Sequence, residues 1–144
     1  MLISKRQLTV NREPWNFEPE LQTKECKMDL NRMIQTIKKH PDYPKMGMIA
    51  SHLGVVRETS LDGRKVTCIE IGSDRNIIDN IISGIKELPG IIEVLVEISE
   101  GTLKVGDDIM AVAIGGDTRE HVFPALASAV DRIKKEAGRK KEIF

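Results

Sequence analysis

Two arginines stand where one predicted element ends and another begins. Arg57 closes the stretch LGVVR after Gly54, and Arg119 lies in GGDTREHVFPAL, between a long apolar run and a predicted helix. A guanidinium is planar and permanently charged, so it can bind a phosphate or a carboxylate through paired hydrogen bonds. The free N–H groups of a helix start also favour an anion. A second interpretation stays open, in which both arginines are ordinary surface charges with snorkelling stems.

Other reactive residues show no spacing that indicates a site. Cys26 and Cys68 do not form a C-x-x-C pair, and the three histidines lack metal-ligand spacing. We therefore expect no disulfide, no metal and no other cofactor. His52 lies inside a predicted strand and is interpreted as a half-buried histidine with a satisfied hydrogen bond.

Composition narrows the class of protein. The 144 residues suit one domain, and the 22 basic and 22 acidic side chains cancel, so no overall field favours nucleic acid or an anionic membrane as a partner. No run reaches the roughly 18 apolar residues of a membrane helix, and the first residues lack the apolar core of a secretory signal. The expected location is the cytoplasm.

The elements that must hold these residues follow from periodicity. Residues 1–27 show no sustained period and are predicted to form an N-terminal arm, extended or disordered, before a domain at 28–144. Apolar stripes at helical spacing predict helices after Asp29, after Ser73 or Asp74, and over about 118–137. Pro124 conflicts with the last one, so that helix either begins near 121–123 or kinks.

Four strands complete the predicted domain. MGMIASHLGVVRE and KVTCIEIG flank the turn LDGR and are predicted to pair as a hairpin. IIEVLVEIS and DDIMAVAIGG are separated by EGTLKVG, which is predicted to be a turn. The second of these strands is apolar at nearly every position, as expected for a strand covered on both faces. The predicted class is α+β, with helices packed on a largely antiparallel sheet.

At this level of detail the chain resembles the large, catalytic subunit of molybdopterin synthase over about residues 46–142. The resemblance rests on the Gly54-x-x-Arg57 strand end, the turn GTLKVGDD, the passage through Arg119 and Phe123, and RKKE near the end. It implies an α/β hammerhead fold and a central homodimer. It also implies a small ubiquitin-like sulfur-carrier subunit bound at each end of that dimer.

The resemblance further implies the chemistry and the residues that perform it. The reaction would be sulfur transfer from the thiocarboxylated C-terminus of the small subunit to cyclic pyranopterin monophosphate, giving molybdopterin. Arg57 and Arg119, with Thr118 beside the latter, match positions that bind the pterin phosphate. The catalytic lysine corresponds to Lys140 or Lys141, and the register does not choose between them.

Three departures from the family pattern keep a second function open. A His-Arg pair is replaced by Thr118-Arg119, and threonine cannot supply a proton near neutral pH. Another His-Arg pair is replaced by Ile98-Ser99, and a second lysine has no counterpart before Phe144. The enzyme is the favoured interpretation. The alternative is a non-catalytic homologue that serves as a binding or assembly module for a ubiquitin-like tail or a pterin.

Overall fold

A computed structural model describes residues 28–144, and the predicted arm at 1–27 lies outside that range. Within it, none of the helices is long and apolar enough to cross a membrane. The strands of the described part are β1 (Met48–Val55), β2 (Cys68–Ser73), β3 (Ile91–Ile98), β4 (Gly101–Lys104), β5 (Asp108–Gly116) and β6 (Gly138–Ile143). Its α-helices are α1 (Leu30–Lys38), α2 (Arg75–Lys86) and α3 (Arg119–Arg132), and a π-helical turn, Ile133–Ala137, joins α3 to β6.

The strands form two antiparallel sheets. The first has the order β1-β5-β3 and the second the order β4-β2-β6. The α+β class with helices on antiparallel sheets is therefore confirmed, although the sheet is divided in two.

The predicted hairpin of the first two strands is wrong. β1 pairs with β5, from Met48 opposite Gly116 to Val55 opposite Asp108, whereas β2 lies in the other sheet between β4 and β6. The turn signal LDGR produces only a local turn closed by the bridge between Thr59 and Lys65. Val56 and Val66, on either side of this turn, are buried in the core of the second sheet, so the connection carries the chain from one sheet to the other.

β5 is the centre of the main core, as its apolar sequence predicts. Every residue from Met110 to Gly116 is buried. Met110, Val112 and Ile114 belong to the cluster that also contains buried residues of α2 and α3. Ala111 and Ala113 belong to a smaller cluster with α1 on the opposite face. The alternation of side chains along a strand thus lets one strand support helices on both sides.

The helix starts are set by short polar side chains. The Asp29 carboxylate accepts from the Arg32 amide, and the Asp74 carboxylate accepts from the amides of Asn76 and Ile77, so the cap of α2 is Asp74 rather than Ser73. α3 begins at Arg119 with Thr118 as its N-cap residue, although Pro124 lies inside it. A start near 121–123 is therefore wrong. Pro124 is exposed, so water can reach the carbonyl that its missing N–H leaves free.

Two strands were not predicted. EGTLKVG contains β4 in addition to turns, and the charged segment GRKKEI forms β6, which pairs with β2 from Ser73 opposite Gly138 to Cys68 opposite Ile143. Both are edge strands of the second sheet. Neither sequence alternates apolar and polar residues, so these two strands can be recognised only from their pairing with β2 in the structure.

Candidate functional site

A cleft with a volume of about 320 Å³ opens where the two sheets meet. Its size lies in the range of small-molecule sites. The first sheet contributes the end of β1 and the start of β5, and the second contributes β2 and β6. The side chains that bear on function are His52, Arg57, Lys134, Lys140 and Glu142.

Arg57 enters this cleft from the loop that follows β1. β1 ends at Val55, Val56 is buried, and the exposed Arg57 side chain turns so that its Nε donates to the Thr59 carbonyl at 3.0 Å. This bond uses one of the five guanidinium donors. The others stay available for an anion in the cleft.

The two candidate lysines lie on opposite faces of β6. Lys140 lines the cleft, and its Nζ lies 3.6 Å from the Glu142 carboxylate two residues along the same face. Lys141 does not line the cleft, and Glu70 lies directly opposite it on β2. Both lysines also line a second, shallow depression. Neighbouring side chains of a strand point to opposite faces. The structure therefore brings only Lys140 together with Arg57.

Arg119 and Thr118 lie at the far end of the first sheet. Met48 and Gly116 mark the end of the β1–β5 pair from which α3 begins, and Val55 marks the end that leads to Arg57. Seven residue steps of about 3.3 Å separate these two ends by about 23 Å. Arg119 is 76% exposed and contacts Glu120 at 3.8 Å. One chain therefore does not bring Arg57 and Arg119 to one small ligand.

A histidine and a carboxylate form a pair beside Arg119. His121 Nδ1 and Asp117 Oδ1 are 2.8 Å apart, and the same oxygen accepts from the Thr118 amide at 2.6 Å. The hydrogen bond from His121 is the main cause that lowers the pKa of Asp117 from its usual value. The pair holds the imidazole in a fixed orientation at the start of α3.

His52 is the cleft residue whose importance the sequence did not reveal. Its Nε2 is buried and has no hydrogen-bond partner among residues 28–144, so the expected satisfied hydrogen bond is wrong. Burial, and then the charge of Lys134, lowers the pKa of His52 below its ordinary value of 6.5. The imidazole is therefore neutral near neutral pH.

The cleft as a whole is cationic. Arg57, Lys134 and Lys140 contribute three positive side chains, and Glu142 offsets one of them. Apolar walls from Val56, Ile69 and Met110 are suited to a ring. Within 28–144, no group of three or more His, Cys, Asp or Glu side chains is arranged to hold a metal ion. The arrangement suits an anionic organic ligand.

These features define a class: an α+β domain of two antiparallel sheets with a cationic cleft between them. The chain belongs to the family described as MoaE protein, whose family model matches residues 23–136. This match confirms the resemblance found in the sequence.

Individual relatives agree with the family. The chain is 28% identical over 123 residues to the molybdopterin synthase catalytic subunit of Ralstonia nicotianae, covering 83% of this chain and 68% of that one. Its fold is similar to that of a molybdopterin synthase from Staphylococcus aureus, with a TM-score of 0.62, 25% identity and coverage of 69% and 76%. It is also similar to the molybdopterin cofactor biosynthesis protein E of Burkholderia multivorans, with a TM-score of 0.66, 25% identity and coverage of 82% and 78%.

Proposed function

We propose that this chain is the catalytic subunit of a molybdopterin synthase. It acts in molybdenum cofactor biosynthesis, transferring sulfur from the thiocarboxylated C-terminus of a small ubiquitin-like subunit to cyclic pyranopterin monophosphate. The observation that carries this proposal is the cationic cleft of a MoaE family member, in which Arg57 and Lys140 lie together. We further propose that the protein works in the cytoplasm.

We assign to Arg57 the role of binding the phosphate of the substrate. Its guanidinium keeps most of its donors free, and it stands at the rim of the cleft, where a charged phosphate can stay partly hydrated. Lys134 adds a second positive charge from the π-helical turn. Together they orient the ring system toward the interior of the cleft.

We assign to Lys140 the role of contacting the thiocarboxylate at the C-terminus of the small subunit. Release of the transferred sulfur from the small subunit requires water to add to the acyl carbon, so that a C–O bond forms, the C–S bond breaks and a carboxylate remains. Negative charge develops on the acyl oxygen as the water adds, and a fixed ammonium group lowers the energy of that charge. Glu142 holds the ammonium from one side. Lys141 faces away and serves as the matched control for this role.

Arg119 and Thr118 reach a substrate in the cleft only if they come from a second copy of the chain. The length of the β1–β5 pair keeps them away from the cleft of their own chain. We therefore propose a homodimer in which the start of α3 in one copy approaches the cleft of the other. In this arrangement each site combines Arg57 of one copy with Arg119 of the other.

A single-turnover assay tests the proposal. Purified protein is mixed with cyclic pyranopterin monophosphate and thiocarboxylated small subunit, and formation of the dithiolene product is followed for wild type, Lys140→Ala and Lys141→Ala. The expected result is product from wild type and Lys141→Ala, with a loss of about 100-fold in Lys140→Ala. Equal rates in the two variants would contradict the role of Lys140.

The same assay separates the enzyme from the alternative function. Thr118, which stands where the family carries histidine, is the observation that favours a non-catalytic homologue. Such a protein would bind the small subunit or the pterin and yield no product in a single turnover. The family relationship to a catalytic subunit favours the enzyme.

A further inference from the structure

His52 breaks the apolar pattern on the core-facing side of β1. Met48, Ala50, His52 and Gly54 are alternate residues of β1 and so share one face of the strand. Met48 and Ala50 pack against the main core. The next position on this face would be expected to continue the core. It carries an imidazole instead, at the point where the face leaves the core and enters the cleft.

The buried Nε2 of His52 is an unusual feature in a folded protein. Nearly all buried side-chain nitrogen and oxygen atoms have a hydrogen-bond partner, because leaving one unpaired costs its lost hydration. Among the described residues, Nε2 is the buried side-chain atom that has none. The ring lies over Gly54, where an added Cβ would stand 3.4 Å from Nε2. The protein therefore maintains an unsatisfied polar atom in the wall of its own cleft.

The Nε2 atom of His52 differs in its chemistry from the charged groups that surround it in the cleft. Arg57 in the loop after β1, Lys134 in the π-helical turn and Lys140 in β6 are cations, and Glu142 pairs with Lys140. These charged groups can bind an anion but do not distinguish one ring from another. A neutral imidazole offers one donor and one acceptor, which can form hydrogen bonds with the neutral polar edge of a heterocycle.

We propose that His52 is a substrate-recognition residue, whose Nε2 forms a hydrogen bond with the ring of an anionic heterocycle while Arg57 and Lys134 hold its phosphate. This rests on the proposed function, since the heterocycle is then a pterin. In the free protein Nε2 is covered. Rotation about the Cβ–Cγ bond, a soft torsion in histidine, exchanges the two edges of the ring, and the proposed hydrogen bond requires that this rotation turns Nε2 toward the cleft.

Equilibrium binding of two probes tests the proposal without sulfur transfer. Neopterin monophosphate, followed by its pterin fluorescence, carries both ring and phosphate, whereas inorganic phosphate carries only the anion. The variants are His52→Phe, which keeps an aromatic ring without polar atoms, and His52→Gln, which keeps a donor and an acceptor. His40→Gln is the control, because His40 already pairs through its Nδ1 with the Asp42 amide and does not line the cleft.

Loss of the hydrogen bond to the pterin ring should weaken binding of the pterin probe and not binding of phosphate alone. His52→Phe should weaken binding of neopterin monophosphate about ten-fold and leave binding of inorganic phosphate unchanged. His52→Gln should recover part of the loss, and His40→Gln should bind like wild type. The thermal midpoint of His52→Phe should equal or exceed that of wild type, because an unsatisfied buried atom has been removed. A histidine with only a structural role would show the opposite shift.

Each failure has its own meaning. If His52→Phe binds neopterin monophosphate as tightly as wild type, or loses inorganic phosphate equally, the assignment of His52 is wrong. If wild type binds neither probe, the assignment is also wrong. Wild-type protein that binds neopterin monophosphate with the expected dependence on His52, yet yields no dithiolene product with the small subunit, would refute the proposed function and leave the recognition role standing.

Discussion

Mixed dimers of two inactive variants should regain activity if each site is built from two chains. The perturbation is co-expression of Arg57→Ala with Arg119→Ala, carrying different affinity tags. Alone, each variant should lose about 10- to 100-fold in single-turnover rate, the effect of removing hydrogen bonds from a charged donor. The reason for combining them is the separation of about 23 Å between the two ends of the β1–β5 pair.

The expected rate of the mixed preparation follows from the number of sites that contain both arginines. At equal expression about half of the dimers are mixed, and a mixed dimer has one site with both arginines and one with neither. The preparation should therefore show about a quarter of the wild-type rate, and dimers purified through both tags about half. A stopped assay of dithiolene product with saturating small subunit measures this directly.

Two outcomes would refute the reasoning. A mixed preparation no more active than the single variants would mean that Arg119 does not act across a dimer. An Arg119→Ala variant with full activity would mean that Arg119 has no role in the site. Arg75→Ala is the control for loss of a surface arginine, because Arg75 pairs with Asp79 on α2, away from the cleft.

Three further predictions concern stability, measured by chemical denaturation. Gly90 has φ +80°, and a Cβ there would lie 2.3 Å from the Asp117 carboxylate, so Gly90→Ala should lower the free energy of unfolding by about 3 kcal/mol. Gly63 has φ +91° but open space around it, so Gly63→Ala should lower the free energy of unfolding by only about 1 kcal/mol. Asp74→Ala should cost about 1 kcal/mol through loss of the cap of α2, and Asp74→Asn should restore most of it. The folded-state pKa of His52 lies below 6.5, so the unfolded chain binds the proton more readily, and wild type should lose free energy of unfolding relative to His52→Phe as the pH falls through 6.5. Parallel pH profiles for the two proteins would contradict that effect.

The sequence predicted the elements whose side chains follow one regular period. α1 and α2 were found because isoleucines and methionines recur at helical spacing, and β5 because its apolar run has no polar face. β4 and β6 were missed because they are short or charged edges. The hairpin was wrong because a local turn signal cannot reveal that β5 pairs with β1 in place of β2.

For the candidate site, the sequence suggested residues but not how the fold arranges them. Arg57 was expected at a strand end, and its position in the cleft depends on that end lying against the second sheet. His52 was interpreted as satisfied, since a sequence contains no information on whether a buried nitrogen has a partner. The distance between Arg57 and Arg119 likewise depends on the register of β1 with β5, which no local pattern determines.

The choice between Lys140 and Lys141 is made by the π-helical turn that precedes β6. A π turn contains one more residue than an α turn, so it shifts every later residue by one position. Because side chains of a strand alternate between faces, a shift of one residue exchanges the lysine that faces the cleft with the one that faces away. Lys134 lies in the same turn and also lines the cleft. The passage from α3 to β6 thus determines both the second cation of the cleft and which lysine faces it, and this local geometry cannot be obtained from the register of the sequence against the family motif.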